Sequence, residues 1–183
     1  MMYKKILFLF ALLLTTVVGA KADGITATTA DIGKVICEDG SIYDNDEYAY
    51  NAGKTAVAMI AYVDNTNNVG LALSLNSNLY ATDLATAIAN AEGLTPIPGG
   101  TWVLPTVDQW KLILKGFGAN VSEEPIDYSG IVDKIKDGLH LGGYTWASTL
   151  YPYDEDYVYN AYFDEWSGGY EVRFQTVSAT GEQ

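Results

Sequence analysis

The side chains with the most chemical reach in this sequence are one histidine, one cysteine and two carboxylate clusters. These are His140, Cys37, the run Asp44-Asn45-Asp46-Glu47, and Asp154-Glu155-Asp156. A histidine works as a general base only beside the proton it takes, and needs a partner to orient it. Leu139-His140-Leu141 has no adjacent nucleophile or acid. Cys37 ends the apolar run Val35-Ile36-Cys37, which points to a buried, inert thiol. As the single cysteine it forms no intramolecular disulfide. The spacing of acids from Asp44 to Tyr48 invites calcium, but the glycine and closing glutamate of an EF-hand are missing. It reads as a solvated acidic loop. No glycine-rich phosphate loop, zinc spacing or Gly-x-Ser-x-Gly elbow occurs. The expectation is a chain that is not an enzyme, with no catalytic residue, metal ligand or cofactor.

Binding-type residues are concentrated instead near the C-terminus. Seven of the fourteen tyrosines fall between Tyr144 and Tyr170, interleaved with acids, asparagine, tryptophan and serine. Tyrosine and tryptophan give contact area at small entropic cost, and short polar groups adapt their hydrogen bonds to a ligand. The candidate ligand-binding residues are Tyr151, Tyr153, Asp154, Asp156, Tyr157, Asn160, Tyr162 and Trp166. The stretch 151–156 carries three acids and a proline, so its rings should stay partly exposed, since burying unpaired carboxylates is costly. Strand alternation would set Tyr159, Ala161 and Phe163 on the core side and Asn160, Tyr162 and Asp164 outside.

The elements that must position this face are legible from pattern. Pro105 disfavours helix at Leu104, so Trp102 to Leu104 should be extended. Thr106 and Gln109 have capping-box spacing, and Asp108 suits the positive end of a helix dipole. A helix over 107–115 then presents Val107, Trp110 and Leu114 on one side and stops at Gly116 or Gly118. Earlier, Lys34–Glu38 and Ser41–Tyr43 flank Asp39-Gly40, a hairpin turn signal. Thr55–Val63 is almost continuously apolar, as in a central strand buried on both faces, and returns into Gly70–Leu75. A helix over 82–91 is capped by Thr82 or Ser77 and stopped by Gly93. A short helix is expected from Ser129 to Asp137. Strands at 144–149, 157–165 and 170–177 close the chain, the last two joined by Ser167-Gly168-Gly169.

Residues 1–22 have the build of an export signal: Lys4 and Lys5, an apolar stretch from Ile6 to Leu14, and Ala20-Lys21-Ala22 before Asp23. The apolar stretch is too short to span a membrane, and no cysteine at the cleavage site offers a lipid anchor. Residues 23–32 read as a flexible lead-in and 33–183 as one domain. Loss of Lys4, Lys5 and Lys21 leaves 7 of the 10 basic residues against 23 acidic ones, a formal charge of −16. Nucleic acid and anionic lipid surfaces would repel such a chain. The expected location is the periplasm, the cell surface or the medium, without membrane insertion after signal removal. The expected partner is an extracellular protein or glycan, and the oligomeric state is open.

Trp102-x-Leu104-Pro105-Thr106-x-x-x-Trp110, then Tyr144-x-Trp146-Ala147-Ser148-Thr149, then Val172-Arg173-Phe174, resembles the bacterial C-type lectin-like fold. That group includes sulfatase-modifying enzymes, variable proteins of diversity-generating retroelements, and other secreted domains. The resemblance covers about residues 33–177, with Val103 in place of the usual arginine and Ala147 in place of a serine. It implies an α+β fold with a mixed or antiparallel sheet, two main helices and a C-terminal strand meander. In the variable proteins the corresponding C-terminal region is the ligand-binding face. The formylglycine-generating members use a cysteine pair that this chain lacks. The calcium and sugar signatures Glu-Pro-Asn and Trp-Asn-Asp are also missing, Glu124-Pro125 being followed by Ile126. A fold of this kind does not fix function. The expectation is a secreted recognition module, with a structural or assembly subunit of a surface layer or appendage as the alternative. Mass spectrometry of exported protein should find Asp23 as the first residue; a chain beginning at Met1, or a lipidated terminus, would contradict the signal reading.

Overall fold

The apolar run at 56–64 is a central strand, and its middle residues, Ala58 to Ala61, are all buried. The computed structural model describes residues 11–15, 24–67, 69–75, 81–133, 143–166 and 169–181, with the backbone alone at 11–15, 143, 144 and 166. Its strands are β1 (Ala11–Thr15), β2 (Val35–Cys37), β3 (Ile42–Tyr43), β4 (Ala56–Asp64), β5 (Val69–Ser74), β6 (Gly100–Val103), β7 (Ile126–Asp127), β8 (Gly143–Leu150), β9 (Tyr157–Trp166) and β10 (Gly169–Ser178). The helices are α1 (Asp46–Asn51), α2 (Leu84–Glu92) and α3 (Val107–Phe117). The fold is α+β with two antiparallel sheets, ordered β3-β2-β4-β5-β1-β6 and β7-β10-β9-β8.

Both faces of the six-stranded sheet are covered, which is why β4 reads as a continuous apolar run rather than an alternation. One face gives Met59, Ala61, Leu71 and Leu73 to a core shared with Trp110, Ile113, Leu114 and Phe117 of α3 and with Ala161, Phe163 and Val172 of the second sheet. The other face gives Ile36, Ala58, Ile60 and Ala72 to a core closed by Ala87 and Ala91 of α2 and by Trp102, Leu104, Trp146 and Val158. Trp110 packs edge-on against Phe163 at 5.6 Å, tying helix to second sheet. Cys37 is free and fully buried, beside Val35 and Ala49, as its apolar setting implies.

Helix α3 follows its sequence signals closely. Thr106 Oγ1 accepts from Gln109 N, and Thr106 N donates to Gln109 Oε1, closing the capping box. Gly118 ends the helix at φ 110°, a left-handed conformation that favours glycine. The hairpin β2–β3 likewise turns at Gly40, with φ 84°.

Several expectations are corrected. The stretch expected as an acidic loop begins a helix, α1, because Asn45 Oδ1 accepts from Tyr48 N and Asp46 and Glu47 occupy the first turn, where carboxylates suit the dipole. Asp44 is paired with Lys34 at 3.2 Å. The cap of α2 is Asp83, not Thr82 or Ser77: its carboxylate accepts from Thr86 N at 2.8 Å, and this bond with the Thr86 hydroxyl holds its pKa below the usual carboxylate value. The lead-in at 23–32 is docked rather than flexible over its described part. Ile25 is 5% exposed, and Thr28 caps a 3-10 turn over Thr29–Asp31. The described part of the helix expected from Ser129 to Asp137 is helical, a 3-10 turn over Ser129–Ile131 followed by helical residues 132 and 133, while residues 134–137, His140 and the Ser167-Gly168 part of the last hairpin turn lie outside the described residues. Strand β1 was not foreseen at all. It lies within residues 1–22 and pairs antiparallel with β5 and with β6.

Of the two glycines expected as the stop, Gly118 ends α3, and Gly116 sits inside it over the bulge that β4 makes between Ile60 and Tyr62. A Cβ there would meet the Ala61 carbonyl oxygen at 1.9 Å. In an open helix, glycine to alanine gains roughly 1 kcal/mol. Gly116→Ala should instead cost about 1–3 kcal/mol or more by overpacking, read from the denaturant midpoint. A gain in stability would mean that α3 does not lie against β4.

Candidate functional site

Strand β8 is positioned by a clasp to the turn that precedes α3. Ser148 N donates to Pro105 O at 2.9 Å, and Ser148 Oγ to Leu104 O at 3.0 Å. Val107 N, which has no acceptor within α3, donates to Thr149 Oγ1 at 2.9 Å. These contacts come from a bulge: the β8–β9 register shifts between Trp146 and Leu150, which turns Ser148 and Thr149 toward the helix. Beyond the clasp the chain leaves the sheet as the loop 151–156 and returns as β9.

That loop is held by its own backbone. Tyr151 N donates to Tyr157 O at 2.9 Å, and Tyr157 N to Asp154 O at 3.1 Å. Asp156 N donates to the Asp154 carboxylate at 3.0 Å, an Asx turn, and Ala179 N reaches Asp156 O at 2.8 Å. The loop is thereby fixed at both ends and to the end of β10.

On this frame three rings form a row from solvent inward. Tyr153 is 86% exposed and meets Tyr151 edge-on at 5.4 Å; Tyr151, half-buried, meets Tyr159 edge-on at 6.0 Å. Tyr159 packs against the α3 core. Tyr157, two residues before it on the same face of β9, is 42% exposed. Asp154, Glu155 and Asp156 are exposed beside the row, and Leu150 adds an exposed apolar side chain at its edge. The result is an aromatic surface rimmed by carboxylates.

Of the eight predicted binding residues, five are brought together: Tyr151, Tyr153, Asp154, Asp156 and Tyr157. Asn160 is corrected from surface to interior, being 4% exposed. The alternation rule fails there because the even-numbered face of β9 is itself covered at its start. Val158 is fully buried in the α2 core, and Asn160 pairs in register with the buried Trp146. Asn160 Oδ1 and Trp146 Nε1 are buried without hydrogen-bond partners among the described residues. Tyr162 is half-buried on the face of β9 opposite to Tyr157 and Tyr159, near Asp164, so it does not join the row. The side chain of Trp166 lies outside the described residues. Ala161 and Phe163 are core, as alternation predicts.

Tyr159 and Leu150 belong to the site and escaped the sequence reading. Tyr159 carries a signal in hindsight, since its parity joins it to Tyr157; Leu150 carries none. Further along the same sheet Tyr128 is buried, and burial first, then the nearby Glu165, pushes its phenol up to about 12. A cleft of about 430 Å³ lies at the end of α3, lined by Phe117, Asn120, Glu123 and Asp127 among others; no predicted binding residue lines it. Among the described residues, no group of three or more histidine, cysteine or carboxylate side chains is placed to hold a metal ion. No helix among them is long and apolar enough to cross a membrane.

Comparison of the chain with family models, with curated proteins and with solved structures finds no match.

Since Asp154 serves the loop's own Asx turn, its truncation should loosen the loop without unfolding the protein. Asp154→Ala is expected to speed hydrogen exchange at Asp156 and Tyr157, while the denaturant midpoint moves by less than about 1 kcal/mol, as for surface substitutions. Unchanged exchange at both amides would show that the carboxylate does not hold the turn.

Proposed function

We propose that this chain is an exported, non-enzymatic recognition module of C-type lectin-like fold. It binds an extracellular protein or glycan through Tyr151, Tyr153, Tyr157 and Tyr159 and the neighbouring acids. The observation that carries this reading is Tyr153, an almost fully exposed ring held edge-on against a half-buried one on a loop fixed by backbone hydrogen bonds and an Asx turn. An exposed aromatic patch on a pre-organised loop is the build of a contact site, because little entropy is lost when a partner covers it. The rings offer apolar faces to a sugar ring or an apolar side chain. The carboxylates accept hydrogen bonds from hydroxyl or amine donors and disfavour anionic ligands.

The lectin-like part of the reading is supported by the way the motif's two halves meet. Leu104-Pro105-Thr106 and Ser148-Thr149, more than forty residues apart, bond directly to one another through the clasp. Export is supported by the signal-like residues 1–22 and the acidic remainder.

The alternative, a structural or assembly subunit, is favoured by one feature, the seating of a leader strand within the six-stranded sheet. Arrays of glycans and extracellular proteins probed with the exported chain test the recognition reading. Tyr153→Ala should weaken whatever binding is found by roughly thirtyfold or more, the effect of losing a hot-spot ring, with the melting temperature unchanged. A Tyr153→Ala protein that binds as tightly as the parent would refute it.

A further inference from the structure

We propose that removal of residues 1–22 opens a strand-acceptor slot in the six-stranded sheet, and that this slot takes an uncharged, apolar β-strand from a partner protein. The inference rests on the export reading and goes beyond it. Strand β1 lies inside the stretch that carries the cleavage signal, with Ala20-Lys21-Ala22 a few residues beyond it. It pairs with β5 from Ala11↔Leu73 to Thr15↔Val69, and with β6 from Ala11↔Val103 to Leu14↔Gly100. Because β1 runs antiparallel to both neighbours, β5 and β6 run parallel to each other with one strand's width between them. Two strand spacings make that gap roughly 10 Å. Cleavage would leave two facing rows of backbone N–H and C=O groups without partners inside a sheet, a template for an added strand.

The walls of the slot are held from behind. β5 is paired to β4 from Ala58↔Ser74 to Asp64↔Val69. β6 is anchored by Trp102, which is 4% exposed and donates from Nε1 to Thr95 O at 2.9 Å. Just beyond it, Leu104 O and Pro105 O accept from Ser148. Closing the gap would require moving β6 off the second sheet.

The new N-terminus does not fill the slot either. A Cβ on Gly99 would lie 2.7 Å from Gly24 Cα, so residues 24 and 25 are seated against the start of β6, and Ile25 is buried there. Nor do the described residues of a second copy offer a strand to spare. Their apolar runs, at 35–37, 56–63, 69–73, 102–104 and 112–114, lie in or directly beside β2, β4, β5, β6 and α3 and are consumed by the cores. The occupant is therefore a segment of another protein with the chemistry of the one seated here, Ala-Leu-Leu-Leu-Thr: no charge, no proline, about five residues, antiparallel to both walls. Main-chain hydrogen bonds to both sides would supply the affinity.

Hydrogen exchange read by mass spectrometry tests this on two forms of the protein, the full chain made without export and the chain recovered after export. The exported form should begin at Asp23 and exchange the slot-facing amides of Val69–Ser74 and Gly100–Val103 roughly tenfold or more faster than the full chain. The amides of β4 and α3 should exchange equally in the two forms, because the walls stay fixed. A peptide of residues 11–15 flanked by lysines should restore the protection, and the same peptide with N-methylated backbone should not. Slot amides as protected in the peptide-free exported chain as in the full chain would show β5 and β6 closed on one another, overturning the slot while leaving export intact. An exported chain still carrying Met1 would overturn the export reading and the slot together.

Discussion

The structure depends on a small set of hydrogen bonds between two distant stretches, the turn Leu104–Val107 and the bulge Ser148–Thr149. Two carbonyls left free by the proline turn accept from Ser148, and the first amide of α3 finds its partner in the Thr149 hydroxyl. Each of these backbone groups, shut in and unpaired, would cost on the order of 1–3 kcal/mol. The clasp therefore fixes where the second sheet sits relative to the first. It also fixes α3, whose Trp110 reaches Phe163 across the same junction. Trp102 and Trp146, both buried, close the other side of it.

The aromatic face hangs from that junction. β8 passes through the clasp, runs out at Leu150, and the next six residues form the loop that carries Tyr151 and Tyr153. Because the loop is bonded to itself and to the end of β10, its rings are displayed rather than collapsed. The inner end of the row, Tyr159, packs on the same core as Trp110. A contact made at Tyr153 is thus mechanically continuous with the helix and the clasp. β6 is held by the same turn, so one junction serves both the aromatic face and one wall of the strand slot.

Local signals were legible in the sequence wherever one residue's chemistry decides one backbone choice. The capping box Thr106–Gln109, the hairpin at Asp39-Gly40 and the doubly buried run of β4 all stand as their patterns predict. The errors arose where tertiary structure overrides pattern. Asn45 with Asp46 and Glu47 spells a helix cap as well as an acidic loop, and only the burial of Ala49 against Val35 and Cys37 selects the helix. Asn160 obeys strand alternation but lies where a second core covers the outer face of β9. Pattern alone did not choose between Gly116 and Gly118 as the stop of α3; Gly118 is the cap, and Gly116 is a site of close approach to Ala61. Strand β1 was hidden because an apolar run of that length beside lysines has an export reading that excludes it from the fold.

Native-state hydrogen exchange of the Val107 and Ser148 amides tests the clasp most directly. If the two sheets are joined there, both amides open only with global unfolding and rank with the slowest amides of β4 and α3. Exchange of either amide at the rate of the exposed turn at 65–67, with the rest of the protein still protected, would contradict the account.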